Sequence, residues 1–95
     1  MTRKINYEQL PEHIRGGMER YIEQGISPGS FLRAVLRDKL VESFSLADQT
    51  NIERMFDIAS FMYNECPAAC RGSSEVIKAW QAKGGLNGIL KEVAQ

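Results

Sequence analysis

The sequence predicts an all-α protein, a compact bundle of four to five short helices. Apolar residues recur at three- and four-residue spacing in successive segments, which is the spacing of one helix face. Glycine and proline separate these segments, and no stretch shows the alternation of a β-strand. A chain of 95 residues, 43% hydrophobic and 25% charged, supports one modest core. We therefore expect a single helical domain over residues 10–95, preceded by an N-terminal arm at residues 1–9.

The first predicted helix begins near Pro11, because proline suits a first turn, where its missing N–H would have no partner. Gly25 is a typical C-terminal stop. The apolar positions between them share one face: Ile14, Met18, Tyr21 and Ile22. Gly16 and Gly17 interrupt this helix, so they mark either a weak point or a place where another backbone packs closely.

Residues 27–30 (SPGS) separate the first helix from the second. Ser27 is a typical N-cap with Pro28 in the first turn, and Ser30 is the alternative cap. We expect the second helix to continue through Phe44, since one face carries Phe31, Leu32, Val35, Leu36, Leu40 and Phe44.

A polar restart at residues 45–48 (SLAD) predicts a third helix that ends at about Glu65, ahead of Pro67. Ser45 is the expected cap, and Asp48 or Thr50 would be a later start. The apolar face is broad enough to make this the central core helix: Ile52, Met55, Phe56, Ile58, Ala59, Phe61, Met62 and Tyr63.

Two short helices complete the prediction. Ser73 caps the fourth, which stops at Gly84 and Gly85, and the fifth starts at about Asn87. Their apolar positions are Val76, Ile77 and Trp80, then Leu86, Ile89, Leu90 and Val93. Five apolar faces exceed what so small a domain buries. The C-terminal helix therefore either packs back on the domain or offers its face to a partner.

The composition excludes several classes of protein. Twelve Lys and Arg residues balance twelve Asp and Glu residues, so the chain lacks the charge excess of a typical nucleic-acid-binding protein. No segment reaches the roughly 18 apolar residues of a transmembrane helix, and residues 1–8 lack the apolar stretch of a signal peptide. We expect a cytoplasmic protein with no membrane partner.

Neither a metal site nor a catalytic site is predicted. Cys66 and Cys70 are expected to be free thiols, because the cytoplasm keeps thiols reduced. Their CPAAC spacing is not that of a zinc or thioredoxin-like motif, and His13 is the only histidine. His13 has no nucleophile near it in sequence, and the serines are explained as helix caps. We therefore expect no enzyme activity and no cofactor.

Two glycine-serine turns, at residues 28–30 (PGS) and 71–74 (RGSS), suggest an anion-binding site. Each precedes a predicted helix, whose N-terminal N–H groups attract phosphate. The candidate residues for holding a phosphorylated small molecule, such as a nucleotide signal, are Ser30, Arg33, Arg37, Arg71 and Ser73. The aromatic residues available to stack on a base are Trp80, Tyr21 and Tyr63. Helix capping also explains the serines, and core packing also explains the aromatic residues.

A further hypothesis is a small DNA-binding regulator of the helix-turn-helix kind. The second helix would present Arg33, Arg37 and Lys39 to the phosphate backbone. Asp38 and Glu42 lie close by, and a net charge of zero gives little electrostatic drive for phosphate contacts. Nucleic acid is therefore the less favoured partner.

Segments across residues 10–88 resemble those of a group of small proteins encoded by bacteriophages and prophages. The segments that carry the resemblance are residues 10–18 (LPEHIRGGM), 20–23 (RYIE), 25–32 (GISPGSFL), 55–58 (MFDI), 63–64 (YN), 72–73 (GS) and 84–88 (GGLNG), together with Trp80. The resemblance supplies no catalytic, cofactor-binding or ligand-binding residues.

This resemblance implies a biological context, that of a phage accessory protein, but no reaction and no ligand. Phage accessory proteins without catalytic residues commonly act stoichiometrically, by binding a host protein or a signalling molecule, and some of them block bacterial defence. The leading hypothesis is a non-enzymatic accessory protein of the host cytoplasm that binds a host factor as a homo-oligomer. Its expected contact surface is the exposed faces of the first two helices and the C-terminal helix.

Overall fold

Seven α-helices form the described part of the chain, which in this computed structural model is the backbone of residues 4–93 and the side chains of residues 4–92. Helix makes up 71% of the structure, and the described residues contain no strand, so the all-α prediction is confirmed. The expected number of helices is wrong. The helices are α1 (Glu12–Gln24), α2 (Ser30–Leu36), α3 (Leu40–Leu46), α4 (Gln49–Glu53), α5 (Met55–Asn64), α6 (Ser74–Lys83) and α7 (Gly85–Val93).

The predicted second helix is two helices, because the chain turns at Asp38. α2 ends at Leu36, and Asp38 adopts a left-handed backbone conformation (φ 60°), which Asp tolerates better than most residues. The Lys39 N–H donates to the Ala34 carbonyl oxygen at 3.0 Å, and α3 then begins at Leu40. The turn changes which side chains of α3 face the core.

The start of α2 lacks the predicted serine cap. Gly29 occupies the N-cap position, and no side chain accepts a bond from the N-terminal N–H groups. Ser27 donates instead to the Pro28 carbonyl oxygen at 3.4 Å, and Ser30 is already the first helical residue. Both proposed caps are wrong, because α2 begins two residues later than a Ser27 cap implies and one residue earlier than a Ser30 cap implies.

The predicted third helix is also two helices, α4 and α5, and Ser45 is not its cap. Ser45 lies inside α3, and Asp48 is the cap of α4, where its Oδ1 accepts from the Asn51 N–H at 2.8 Å. The break between α4 and α5 falls at Arg54 (φ −107°, ψ 14°). Its Nη2 donates to the Gln9 carbonyl oxygen at 2.9 Å. The two residues of this bond are 45 positions apart in the sequence. Helical periodicity, which is a local pattern, therefore cannot predict the break.

The core lies between α1, α5 and α6 and includes every predicted apolar position of α1. Tyr21 is fully buried at its centre, with its hydroxyl donating to the Cys70 carbonyl oxygen at 2.7 Å. The Trp80 Nε1–H donates to the Tyr21 carbonyl oxygen at 3.2 Å. Burial raises the pKa of Tyr21, so the phenol stays neutral and paired. The buried residues of this hydrophobic cluster are Ile5, Leu10, Ile14, Met18, Tyr21, Ile22, Leu32, Leu36, Ile58, Phe61, Met62, Cys66, Cys70, Ile77 and Trp80.

Helix α5 is a core helix on one side only. Ile58, Phe61 and Met62 are buried, whereas Phe56 and Tyr63 of the predicted core face are exposed. The predicted apolar face was wider than one side of a helix. The structure divides it between the core and the solvent.

Residues 4–9 of the predicted N-terminal arm lie against the helical domain. Ile5 is buried, and the ring centroids of Tyr7 and Phe61 are 5.6 Å apart. The Tyr7 hydroxyl donates to Glu23 Oε2 at 2.8 Å, and burial together with this carboxylate raises the pKa of Tyr7. Residues 1–3 of the arm lie outside the described residues.

The C-terminal helix packs back on the domain. Ser73 caps α6 as predicted, accepting from the Val76 N–H at 3.3 Å. α7 begins at Gly85, two residues before the predicted start, and packs against α1 and α6. Leu86 and Ile89 are partly buried against the core. Of the predicted apolar positions in this helix, the side chain of Val93 lies outside the described residues.

Glycines bring the ends of α1 and α7 into backbone contact. Gly25 and Gly85 both have positive φ values, 72° and 68°, which favour glycine. A Cβ on Gly85 would lie 2.6 Å from the Gly25 nitrogen, which is closer than a carbon atom can approach. By contrast, Gly16 and Gly17 lie within an unbroken α1, where the atoms nearest to an added Cβ belong to side chains.

The two kinds of glycine predict opposite effects of alanine on stability. We expect Gly85→Ala to destabilise the fold by about 2–4 kcal/mol, because the methyl group meets backbone atoms at a left-handed position. Gly16→Ala should stabilise it by about 0.5–1 kcal/mol, since its nearest neighbour is the flexible end of Arg20. Urea denaturation followed by circular dichroism measures both. Equal free energies of unfolding for the two variants would contradict the close backbone contact between Gly25 and Gly85.

The cap of α4 predicts a pH-dependent contribution to stability. The Asn51 N–H and the His13 ring, 2.9 Å away, hold the pKa of Asp48 below its usual range. The unfolded-state pKa is about 3.9, so the ionised carboxylate stabilises the fold above that pH. This contribution is lost as the pH falls through the lower folded-state pKa. We expect wild type to melt at a higher temperature than Asp48→Asn near neutral pH.

The melting-temperature difference should vanish by about pH 2, where Asp48 is protonated in both states. Asparagine is itself a good N-cap, so this variant isolates the charge from the cap. Thermal denaturation at several pH values provides the measurement. A difference that stays constant with pH would show that the carboxylate charge contributes nothing.

Candidate docking surface

Helix α3 turns its large apolar side chains toward solvent. Val41 is 83% exposed and Leu40 68%, and Phe44 and Leu46 are also exposed. The buried residue of this helix is Ser43, at 2% exposure, whose hydroxyl donates to the Lys39 carbonyl oxygen at 2.6 Å. Burial in α3 is therefore the reverse of the usual pattern for a helix at the surface of a globular protein.

Helix α5 presents a second apolar stripe beside it. Phe56, Ala59 and Tyr63 are spaced at i, i+3 and i+7, which places them on one helix face. All three are exposed, and Phe56 and Tyr63 reach 81%. Each of these two rings therefore leaves roughly 150 Å² accessible to water.

A groove of about 300 Å³ joins the two helices. Leu40 of α3 lines it together with Ala59 and Tyr63 of α5, and the buried side chains of Ile58 and Met62 also line it. We call the exposed apolar residues of the two helices the α3–α5 surface, defined as Leu40, Val41, Phe44, Leu46, Phe56, Ala59 and Tyr63. Of these, Leu40, Ala59 and Tyr63 line the groove. Apolar patches of this kind on soluble proteins are commonly binding surfaces.

Charged residues stand at one side of the groove. Asp38, Lys39 and Arg71 contribute to its lining, so this side carries two cationic groups and one anionic group. The Gly72 N–H donates to the Leu36 carbonyl oxygen at 2.7 Å, which fixes Arg71 next to the turn between α2 and α3. The groove therefore combines an apolar wall with a weakly cationic edge.

The five residues predicted to hold an anion serve different parts of the fold. Ser30 and Arg33 are exposed on α2, and Arg37, the C-terminal cap of α2, pairs with Glu42 of α3. Arg71 lines the groove, and Ser73 caps α6. That these residues form one site stays a prediction.

The geometry separates the two glycine-serine turns. The loop at Gly72 contacts Leu36, at the C-terminal end of α2, whereas Ser30 begins that helix, about 9 Å away along its axis. Arg37 and Arg71 are thus brought to the same end of α2. Each also has a buried Nε without a hydrogen-bond acceptor among the described residues. The three aromatic residues proposed for base stacking differ in exposure. Tyr21 and Trp80 are buried, and only Tyr63 is exposed.

The residues proposed for DNA recognition do not share a helix. α2 contains seven residues and ends before Arg37, and Lys39 precedes α3. Of the three, Arg33 alone lies within α2. A continuous basic helix face is therefore missing from this part of the structure.

The His, Cys, Asp and Glu residues in the part of the chain that the structure describes form no metal-binding cluster. His13 contacts the Asp48 carboxylate at 2.9 Å, and both side chains are about half exposed. Within residues 4–93 no three His, Cys, Asp or Glu side chains lie together as metal ligands would. None of the helices described has the length and apolar character needed to cross a bilayer.

Comparison of the chain with protein-family models, with curated proteins and with solved structures finds no significant match.

The α3–α5 surface was missed by sequence reasoning. Leu40 and Phe44 of α3, like Phe56 and Tyr63 of α5, follow the same spacing as buried positions, so their pattern indicates a core face. The one available signal was the polar pair Asp38 and Lys39, which interrupts the apolar pattern where α2 ends. A break there would have changed the side of the helix that faces the core.

Proposed function

We propose that this chain is a non-enzymatic binding protein, a phage accessory protein that acts stoichiometrically on a host protein through the α3–α5 surface. The observation that carries the proposal is the reversed burial of α3, with Leu40, Val41 and Phe44 exposed and Ser43 buried. The resemblance to small phage and prophage proteins supplies the setting.

The energetics of α3 support a partner. An isolated helix of seven residues is unstable in water and depends on packing along one face for its stability. In α3 the side chains with most apolar surface face the solvent. Covering Val41 and Phe56 with a partner would remove apolar area from water at roughly 25 cal/mol per Å². Covering the α3–α5 surface with a partner is therefore favourable, because it removes this exposed apolar area from water.

The groove also defines the chemistry of the partner. An amphipathic helix can place its large apolar side chains between α3 and α5. Lys39 and Arg71 at the edge favour a partner segment that carries carboxylates beside its apolar anchors. The partner segment we propose is thus an apolar and acidic helix of a host protein.

Polar substitution of the surface is the test. We expect the double variant Leu40→Ser, Tyr63→Ser to keep the stability of wild type within about 1 kcal/mol, because both side chains line the groove and are exposed. Its affinity for the host partner should fall at least roughly thirtyfold, as expected when interface anchors are removed. Affinity capture from host cells identifies the partner, and titration with the purified partner gives its stoichiometry and affinity.

The control is Ile26→Ser, which removes an exposed apolar side chain outside the surface. A stoichiometric complex that survives this control and is lost in the double variant supports the proposal. A partner held equally well by the double variant would remove the α3–α5 surface from the function. Turnover of a nucleotide or peptide by the purified chain would overturn the non-enzymatic assignment.

Homo-oligomerisation remains part of the proposal and has its own measurement. Native mass spectrometry of wild type reports the number of subunits. A dimer that dissociates in the Leu40→Ser, Tyr63→Ser variant would assign the surface to a second copy of the chain instead of a host protein.

The second candidate function is sequestration of a phosphorylated small molecule. Its support is the pair of buried Nε groups on Arg37 and Arg71 at one end of α2, which lack a protein acceptor. Opposing it are the Glu42 carboxylate on Arg37 and the nearby Asp38.

We expect Arg71→Ala to weaken binding of ADP or inorganic phosphate at least roughly tenfold if this function holds, since one charge-assisted bond is lost. Arg20→Ala, which removes an exposed arginine of α1 outside the predicted anion-binding residues, is the matched control. Calorimetric titration provides the affinities. Absence of binding by wild type at millimolar ligand would eliminate the second candidate.

A further inference from the structure

The segment between α5 and α6 brings two cysteines into contact. Cys66 follows the end of α5, and Cys70 closes the single 3-10 turn Ala68–Cys70. Their Sγ atoms are 2.7 Å apart, whereas a disulfide bond is about 2.05 Å long. Both residues are free cysteines in this structure. Three residues separate them, so a bond between them would close a small loop.

The local backbone directs both thiols to one point. The Pro67 carbonyl oxygen lies 3.0 Å from the Cys70 sulfur and 3.6 Å from the Cys66 sulfur. The same oxygen accepts from the Cys70 N–H at 3.1 Å, which closes the turn. Since the turn already holds the sulfurs together, joining them requires little movement of the chain.

We infer that Cys66 and Cys70 form a reversible dithiol–disulfide site, oxidised by exchange with a small disulfide of the glutathione class. The inference goes beyond the proposed function and does not depend on it.

The two cysteines have different roles in the exchange. Cys70 is fully buried, whereas Cys66 keeps 7% of its surface accessible, so Cys66 is the thiol that a small disulfide reaches first. The Cys66 thiolate attacks one sulfur of the glutathione disulfide, forms a mixed disulfide and releases one glutathione thiolate. The Cys70 thiolate then attacks the Cys66 sulfur and releases the second glutathione. Each cysteine loses one proton, and each released glutathione takes one up.

Burial makes this exchange slow. The hydrogen bond to Cys70 and burial raise the pKa of the Cys66 thiol, so little thiolate is present at neutral pH. The site is therefore suited to a lasting change of redox conditions, because the reaction needs local opening of the segment at residues 66–72.

The disulfide would stiffen a segment that is already tied to the core. Cys70 accepts the hydrogen bond of the Tyr21 hydroxyl, and Gly72 is bonded to Leu36 at the end of α2. Arg71, between them, lines the groove beside α3. Oxidation thus acts directly next to the edge of the α3–α5 surface.

Incubation of the full chain with glutathione disulfide, followed by intact-protein mass spectrometry, tests the inference. We expect a monomer about 2 Da lighter, restored by dithiothreitol, whose melting temperature is higher by at least about 5 °C. Hydrogen exchange in the segment at residues 66–72 should also slow. An unmodified chain, a disulfide-linked dimer or oxygen addition alone would overturn the inference.

Single variants assign the order of attack. Cys70→Ser should trap a glutathione adduct of about 305 Da at Cys66, because no second thiol releases it. Cys66→Ser should remain unmodified under the same conditions, since Cys70 is inaccessible. The reverse result would overturn the assigned roles. If either variant fails to fold, peptide mapping of oxidised wild type still decides whether Cys66 and Cys70 are joined.

Discussion

The fold depends on the two hydrogen bonds of Tyr21 at the centre of the core. Its hydroxyl binds the Cys70 carbonyl oxygen, and its own carbonyl oxygen binds the Trp80 indole. These bonds join α1 to the segment before α6 and to α6 itself, across 49 and 59 residues of chain. Leaving such polar groups unpaired in a core costs about 1–3 kcal/mol each. Tyr21 thus fills apolar volume in the core and also fixes the positions of α1, the segment before α6 and α6 relative to one another.

This arrangement decides which surface remains for other molecules. Once α1 and α6 enclose the core with α5, the short helices α3 and α4 are left at its edge. Their apolar side chains exceed the core area available in a domain of this size. Leu40 of α3 and Tyr63 of α5 therefore line one groove that the core leaves unfilled. The exposure of these apolar side chains is thus a consequence of the limited core.

The sequence was sufficient for the parts of the fold with local causes. The apolar face of α1, the serine cap of α6 and the loop after α5 follow from spacing, from capping and from Pro67. The breaks at Asp38 and Arg54 do not, because one needs a left-handed residue that Asp only tolerates and the other a hydrogen bond to distant Gln9. The candidate surface depends on both breaks. Apolar spacing identifies a face but not what covers it, and that limit explains why α3 was expected to be buried.

The contact between Gly25 and Gly85 has a consequence for how the protein is made. α1 leaves the ribosome first, yet its C-terminal end is completed only by a residue 60 positions later in the sequence. Contacts between residues so far apart form late in folding, because a long loop must close first. The apolar face of α1 is therefore exposed during most of synthesis. We therefore expect chaperones that bind nascent chains to protect this face most before α7 emerges.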